Sequence, residues 1–154
     1  MKRMRLSIML TLGLVLLLSC SLVQSKENVG ELTEVEASKI IKKLSKGDDI
    51  VLINSIIKGD LDFTELSDYT QLSSPTQLTT TISQTIYFQN CVFMGKVVAH
   101  DKSLHGKENQ KQYVYEKVHF KNSVVFFDCD FRDIVNFNES TFDRGLDFNQ
   151  AAFR

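Results

Sequence analysis

In its second half this chain sets apolar side chains in pairs. A small or branched residue is followed two positions later by a large one, with polar residues between and after. The plainest stretch reads Val124-Val125-Phe126-Phe127-Asp128-Cys129-Asp130-Phe131-Arg132-Asp133-Ile134, then Val135-Asn136-Phe137-Asn138-Glu139-Ser140-Thr141-Phe142-Asp143-Arg144-Gly145, then Leu146-Asp147-Phe148-Asn149-Gln150-Ala151-Ala152-Phe153. The unit is eleven residues long, and Phe120, Phe126, Phe131, Phe137, Phe142, Phe148 and Phe153 recur at alternating steps of six and five. Neither a helix of period 3.6 nor a simple strand of period two produces this spacing, so the repeat itself is the structural unit.

The same register continues upstream across residues 50–60 (Ile50, Leu52, Ser55, Ile57) and 86–96 (Ile86, Phe88, Cys91, Phe93). Two further units are interrupted. Leu61-Asp62-Phe63 opens one that resumes at Thr80-Thr81-Ile82, after a Ser/Thr/Gln-rich segment holding the single proline, Pro75. Val97-Val98-Ala99 opens the other, which resumes at Val118-His119-Phe120. The insertions fall at about 64–79 and 100–117, both directly after the first large apolar position, with Tyr113-Val114-Tyr115 a candidate short strand inside the second.

Residues two apart in an extended chain share a face, so each pair points inward while Asp62, Asp130, Asn136 and Asp147 point out. Polar turns follow every pair, so the chain must wind and its coils must stack. Two units per coil predict three inner columns: Phe88, Phe126 and Phe148; Phe93, Phe131 and Phe153; and Phe63, Ala99 and Phe137. Burying a dozen such side chains at ~1.5–3 kcal/mol each gives such a stack its stability.

These cassettes, Cys129-Asp130-Phe131-Arg132-Asp133 and Val135-Asn136-Phe137-Asn138-Glu139, resemble those of the pentapeptide-repeat family over about two thirds of the chain. The resemblance implies an all-β fold, a right-handed quadrilateral β-helix (solenoid) with central residues laddered inside. It also implies a generally non-catalytic role. Some members of that family imitate DNA and bind topoisomerases.

Ahead of the repeats, Ala37, Ile40, Ile41 and Leu44 form one apolar stripe, Thr33 and Glu36 have capping-box spacing, and Gly47 suits a helix stop. The expectation is a short N-terminal capping α-helix within residues 33–47, its body at 34–46, laid over the first coil. A membrane-surface helix is the rival reading, given Lys39, Lys42, Lys43 and Lys46. The repeat domain then spans 48–154. Its last coil carries no cap, which allows self-association through the C-terminal coil or a shortened version of a longer repeat protein.

Residues 1–19 read as a secretory signal: Lys2, Arg3 and Arg5, then an apolar run over 6–18 that is short for a membrane span. Leu17-Leu18-Ser19-Cys20 resembles the bacterial lipobox. That resemblance implies lipidation (palmitate and diacylglyceryl) at Cys20, a linker over 20–32, and an extracytoplasmic place in the cell envelope. Ser21 after the Cys implies the outer membrane. Removing Lys2, Arg3 and Arg5 from the 18 basic residues leaves 15 against 19 acidic ones. A balance near −4 is too acidic to bind nucleic acid strongly and too mild to imitate it.

Cys91 and Cys129 occupy one slot in stacked units. They are either a disulfide or two small buried thiols equivalent to Ser55 and Ala151, and the dihedral requirement of the bridge favours the thiols.

Both insertions should leave one corner of the stack, one above the other, and grouped insertions commonly form the binding face of a repeat protein. The sequence therefore points to a membrane-anchored, non-catalytic lipoprotein that binds or scaffolds an unknown protein partner. Tyr69, His100, His105, Tyr113 and Tyr115 are the contact candidates. The alternatives are a topoisomerase-binding DNA mimic and a metal-binding or enzymatic envelope protein. For the latter, His100, Asp101, His105 and Glu108 lie close in sequence but match no zinc spacing, and no nucleophile elbow, phosphate loop or paired acid/base carboxylates appear. No cofactor, catalytic residue or metal ligand is expected.

Overall fold

A computed structural model describes residues 31–67, 77–105 and 112–154, with the side chains of 102–105 and 112 left aside. Residues 31–154 form one compact unit, mostly β, with one α-helix among the described residues. The strands are β1 (Thr33–Glu36), β2 (Ile50–Lys58), β3 (Leu61–Asp62), β4 (Gln77–Ile82), β5 (Ile86–Phe93), β6 (Val97–Val98), β7 (His100–His105), β8 (Gln112–Phe120), β9 (Val124–Phe127), β10 (Asp130–Phe131), β11 (Val135–Asn136), β12 (Thr141–Phe142), β13 (Leu146–Asp147) and β14 (Ala152–Phe153). The helix α1 spans Ala37–Leu44.

The strands fall into three sheets, and β7 against β8 is the one antiparallel pair among the described residues. The first sheet holds β1, β2, β5, β9, β10, β13 and β14; the second β3, β6 and β11; the third β4, β7, β8 and β12. The chain visits them in rotation. Where nothing interrupts the repeat, strand partners are 22 positions apart: Thr33 with Ser55, Val124 with Leu146, Phe120 with Phe142. Across the interruptions the offsets become 36 (Phe88 with Leu52) and 38 (Phe126 with Phe88), exceeding 22 by 14 and 16. Eleven-residue units taken two at a time therefore set the pairing register, and each insertion is extra length in one circuit.

That register places like above like. Phe88 stacks on Phe126 at 5.3 Å and Phe126 on Phe148 at 5.2 Å, with interplanar angles under 10°. Phe93, Phe131 and Phe153 form the second column, at 4.8 and 5.0 Å. In the third, the small Ala99 between Phe63 and Phe137 lets those two rings approach to 6.3 Å. A fourth, Ile82 under Phe120 under Phe142, has its two rings at 4.9 Å. Rings of neighbouring columns meet edge-on, as in Phe93 against Phe126 at 72°, the offset and edge arrangements that ring quadrupoles favour.

The helix differs from expectation at its start. Thr33–Glu36 is not its first turn but β1, paired with Ser55–Lys58 and tied by an ion pair of 2.6 Å between Lys58 and Glu34. Glu36 precedes the helix without a side-chain cap, so the Thr33/Glu36 capping box does not form. Parallel pairing with β2 satisfies the same backbone groups over a longer stretch and turns Val35 onto the core. The helical stripe Ala37, Ile40, Ile41 and Leu44 is buried, and Gly47, at φ +87°, ends the segment in the left-handed region.

The left-handed region is also used by Asn54, Asn90, Asp128 and Gln150, at φ between 50° and 60°. They occupy one position in successive circuits, where β2 and β5 turn and where β9 passes to β10. Asn90 Nδ2 donates to Asn54 Oδ1 at 2.7 Å, linking two circuits through their side chains. Non-glycine residues rarely adopt this conformation, and Asn and Asp adopt it most readily.

Replacing Phe126, fully buried between two rings, by Ala is expected to lower stability by about 3–5 kcal/mol. Phe153→Ala, at a ring 56% exposed, should cost clearly less; chemical denaturation of both variants measures the difference.

Candidate functional site

The first excursion leaves the second sheet after Asp62, whose Oδ1 accepts from the Thr64 N–H at 2.8 Å and the Thr64 hydroxyl at 2.7 Å. These bonds start one 3-10 turn, Phe63–Leu66. Residues 68–76, including the candidate Tyr69, lie outside the described residues. The chain returns as β4, where the Ser67 and Thr80 hydroxyls meet at 2.6 Å and join the two ends of the excursion.

The second excursion is an antiparallel hairpin, where the sequence suggested a polar loop with one short strand. β7 pairs with β8 from His100 opposite Lys117 to His105 opposite Gln112. β-branched and aromatic Tyr113-Val114-Tyr115 suit a strand, and the antiparallel partner lets them extend the third sheet beyond the repeat. β4 lies alongside in parallel, with Gln77 opposite Tyr115 and Thr79 opposite Lys117. The two excursions thus return side by side in one sheet.

Alternation along β8 buries Val114, Glu116, Val118 and Phe120, leaving Tyr113 exposed and Tyr115, Lys117 and His119 half-exposed. Tyr113 and Tyr115 share this outer face, and His100 is directly opposite Lys117 on it. His100 is half-buried, and its Nδ1 is enclosed without a hydrogen-bond partner among the described residues. Three of the five candidates therefore come together; Tyr69 and the side chain of His105 lie outside the described residues, as does Cys20.

Two features escaped the sequence reading. Glu116 is 1% exposed; its place in a polar insertion gave no hint of burial, and only strand alternation from Tyr113 could have suggested it. His119 reaches the next circuit, where Nε2 lies 2.8 Å from Asp143 Oδ1. Among the described residues no three His, Cys, Asp or Glu side chains are grouped to hold a metal ion, and no helix is long and apolar enough to cross a membrane.

Cys91 and Cys129 are both free and buried, in the column that begins at Ser55. Cys91 Sγ lies 3.3 Å from the Gln89 carbonyl, and Cys129 Sγ 3.4 Å from that of Phe127. The two neighbouring thiols affect each other's protons in opposite directions. Contact with Cys129 lowers Cys91 to about 7 despite burial, while contact with Cys91, with burial added, pushes Cys129 up.

No protein-family model matches this chain, and no curated protein or solved structure is detectably similar to it.

Alkylation of the denatured protein without reductant should add two labels at Cys91 and Cys129, read by mass spectrometry of the peptides that carry them. A linked, unlabelled peptide pair would instead show a bridge.

Proposed function

We propose that this chain is a non-catalytic, lipid-anchored binding module of the bacterial cell envelope, held at the outer membrane through Cys20, whose hairpin face recognises a protein partner. On this reading the fold is a right-handed quadrilateral β-helix of the pentapeptide-repeat type. The 22-residue pairing offset of the uninterrupted circuits supports it, as does the left-handed corner at Asn54, Asn90 and Asp128. That corner divides the first sheet into two sides, which with the second and third sheets makes four. The family assignment rests on the cassettes and this register.

The observation that carries the function is the convergence of the two excursions. β4 beside β8, and β7 beyond it, extend one sheet past the repeat and carry Tyr113, Tyr115, Lys117 and His100 on it. Nothing in the stacking of the circuits requires this extension. The uninterrupted circuit passes from Asn136 to Thr141 without any insertion. Tyrosines supply large, amphipathic contact area with few rotamers to immobilise.

The register also provides the test. His100 and Lys117 are antiparallel partners, so deleting residues 101–116 joins two neighbouring Cα atoms and removes the 16-residue excess, restoring a 22-residue offset. The shortened protein should keep its β-rich circular dichroism and cooperative unfolding. A photo-crosslinking residue at Tyr113 should give a discrete envelope adduct, absent from the same probe at Arg144. Identical adducts from Tyr113 and Arg144, or none from Tyr113, would refute a hairpin recognition face.

A further inference from the structure

The outer faces of the sheets differ in a way the core does not require. On the third sheet, outward Thr81, His119 and Thr141 align as a polar column. On the first sheet, two outward columns run Val51, Tyr87, Val125 and Ile53, Gln89, Phe127. None of these side chains belongs to the core or packs against it, and Val51 and Ile53 are 62% and 52% exposed. Such a set departs from the polar-out pattern of the later repeats. It ends at the next circuit, where Val125 is followed by the exposed Asp147. The apolar face is therefore confined to the N-terminal part of the stack.

Cations sit at that same end. Lys39 and Lys43 of α1 line one groove with Val51 and Leu52, and Lys42 and Lys46 are exposed on the same helix. Asp49, which also lines the groove, accepts a hydrogen bond from the Thr85 N–H at 2.7 Å. An apolar surface that includes a tyrosine and is bordered by lysines has the chemistry of a lipid–water interface: apolar groups enter the acyl boundary, the phenol stays at headgroup level, and ammonium groups meet phosphates.

We propose that this outer face of β2, β5 and β9 docks on an anionic lipid bilayer, with Lys39 and Lys43 at the headgroups; the proposal rests on the anchoring at Cys20 put forward above. Residues 21–30, ten positions between Cys20 and the described unit, reach up to ~35 Å when extended. Three strands at the ~4.8 Å spacing cover about 10 Å, less than that length. The hairpin, on a different sheet, stays in water and open to its partner.

The chain has no tryptophan, so a single indole can report the contact in the full lipidated chain. In Phe127→Trp, and independently in Val51→Trp, iodide quenching should fall several-fold and the emission should shift to the blue on phosphatidylcholine vesicles containing phosphatidylglycerol. Both effects should shrink in high salt and with Lys39→Glu/Lys43→Glu. Tyr113→Trp should remain open to iodide throughout. Equal quenching of the first two variants with and without vesicles overturns the proposal. So does shielding that appears without vesicles together with a doubled mass in light scattering, which would make the occupant a second copy. Labelled palmitate at Cys20 and vesicle flotation report separately on the anchor. Loss of the label with shielding intact removes the anchor and leaves the face, whereas flotation with an iodide-open indole does the reverse.

Discussion

Parallel pairing of each repeat unit with the unit two before it is the constraint from which the rest of this structure follows. Once Ser55 pairs with Thr33 and Leu146 with Val124, every inward side chain has its equivalent above and below it. A phenylalanine then meets another phenylalanine, a large aliphatic side chain such as Leu52, Ile57 or Ile82, or a residue small enough to be bridged, in the next circuit. Buried rings gain dispersion contacts and lose water on both faces. The stack is therefore held by many similar nearest-neighbour contacts, as in other repeat architectures.

The same constraint acts on positions outside the aromatic columns. The turn at Asn54 must be repeated at Asn90 and Asp128, so the left-handed conformation recurs and its amides can bond from circuit to circuit. The adjoining column, Ser55, Cys91, Cys129, then Ala151, holds small side chains because the corner leaves little room, and this brings two thiols together without a redox role being needed. Gly95 answers to the same crowding: a Cβ there would lie 2.6 Å from the Gly59 carbonyl oxygen, while the Lys96 N–H donates to Asp60 at 2.9 Å. These are packing demands.

The stack was legible in the sequence because its signal is repeated. Phe120 to Phe153 give the unit, and the resumption points Thr80-Thr81-Ile82 and Val118-His119-Phe120 lie opposite each other in β4 and β8, whose pairing begins three residues earlier, at Gln77 and Tyr115. Non-repeated features were less visible. Thr33–Glu36 carried a local helix-start signal that parallel pairing with β2 overrode. The hairpin was hidden because one of its strands, His100–His105, is polar and takes its form from the partner strand. The apolar outer face of β2, β5 and β9 was passed over because Val51, Tyr87 and Val125 alternate with core residues, and in a run such as Val124-Val125-Phe126-Phe127 the outward members look like core. Burial separates them: Val124 and Phe126 are fully buried, Val125 and Phe127 only in part.

The molecule thus has one interior set by repetition and two surfaces that depart from it, the sheet extended by the excursions and the apolar outer face beside α1. Both departures depend on the register being right. The most direct measurement is a set of ring-to-ring NOEs in protein selectively labelled at phenylalanine. The account predicts cross-peaks between Phe88 and Phe126 and between Phe93 and Phe131, pairs 38 positions apart whose centroids are 5.3 and 4.8 Å apart. Absence of both, with each ring instead contacting only its neighbours in sequence, would contradict it.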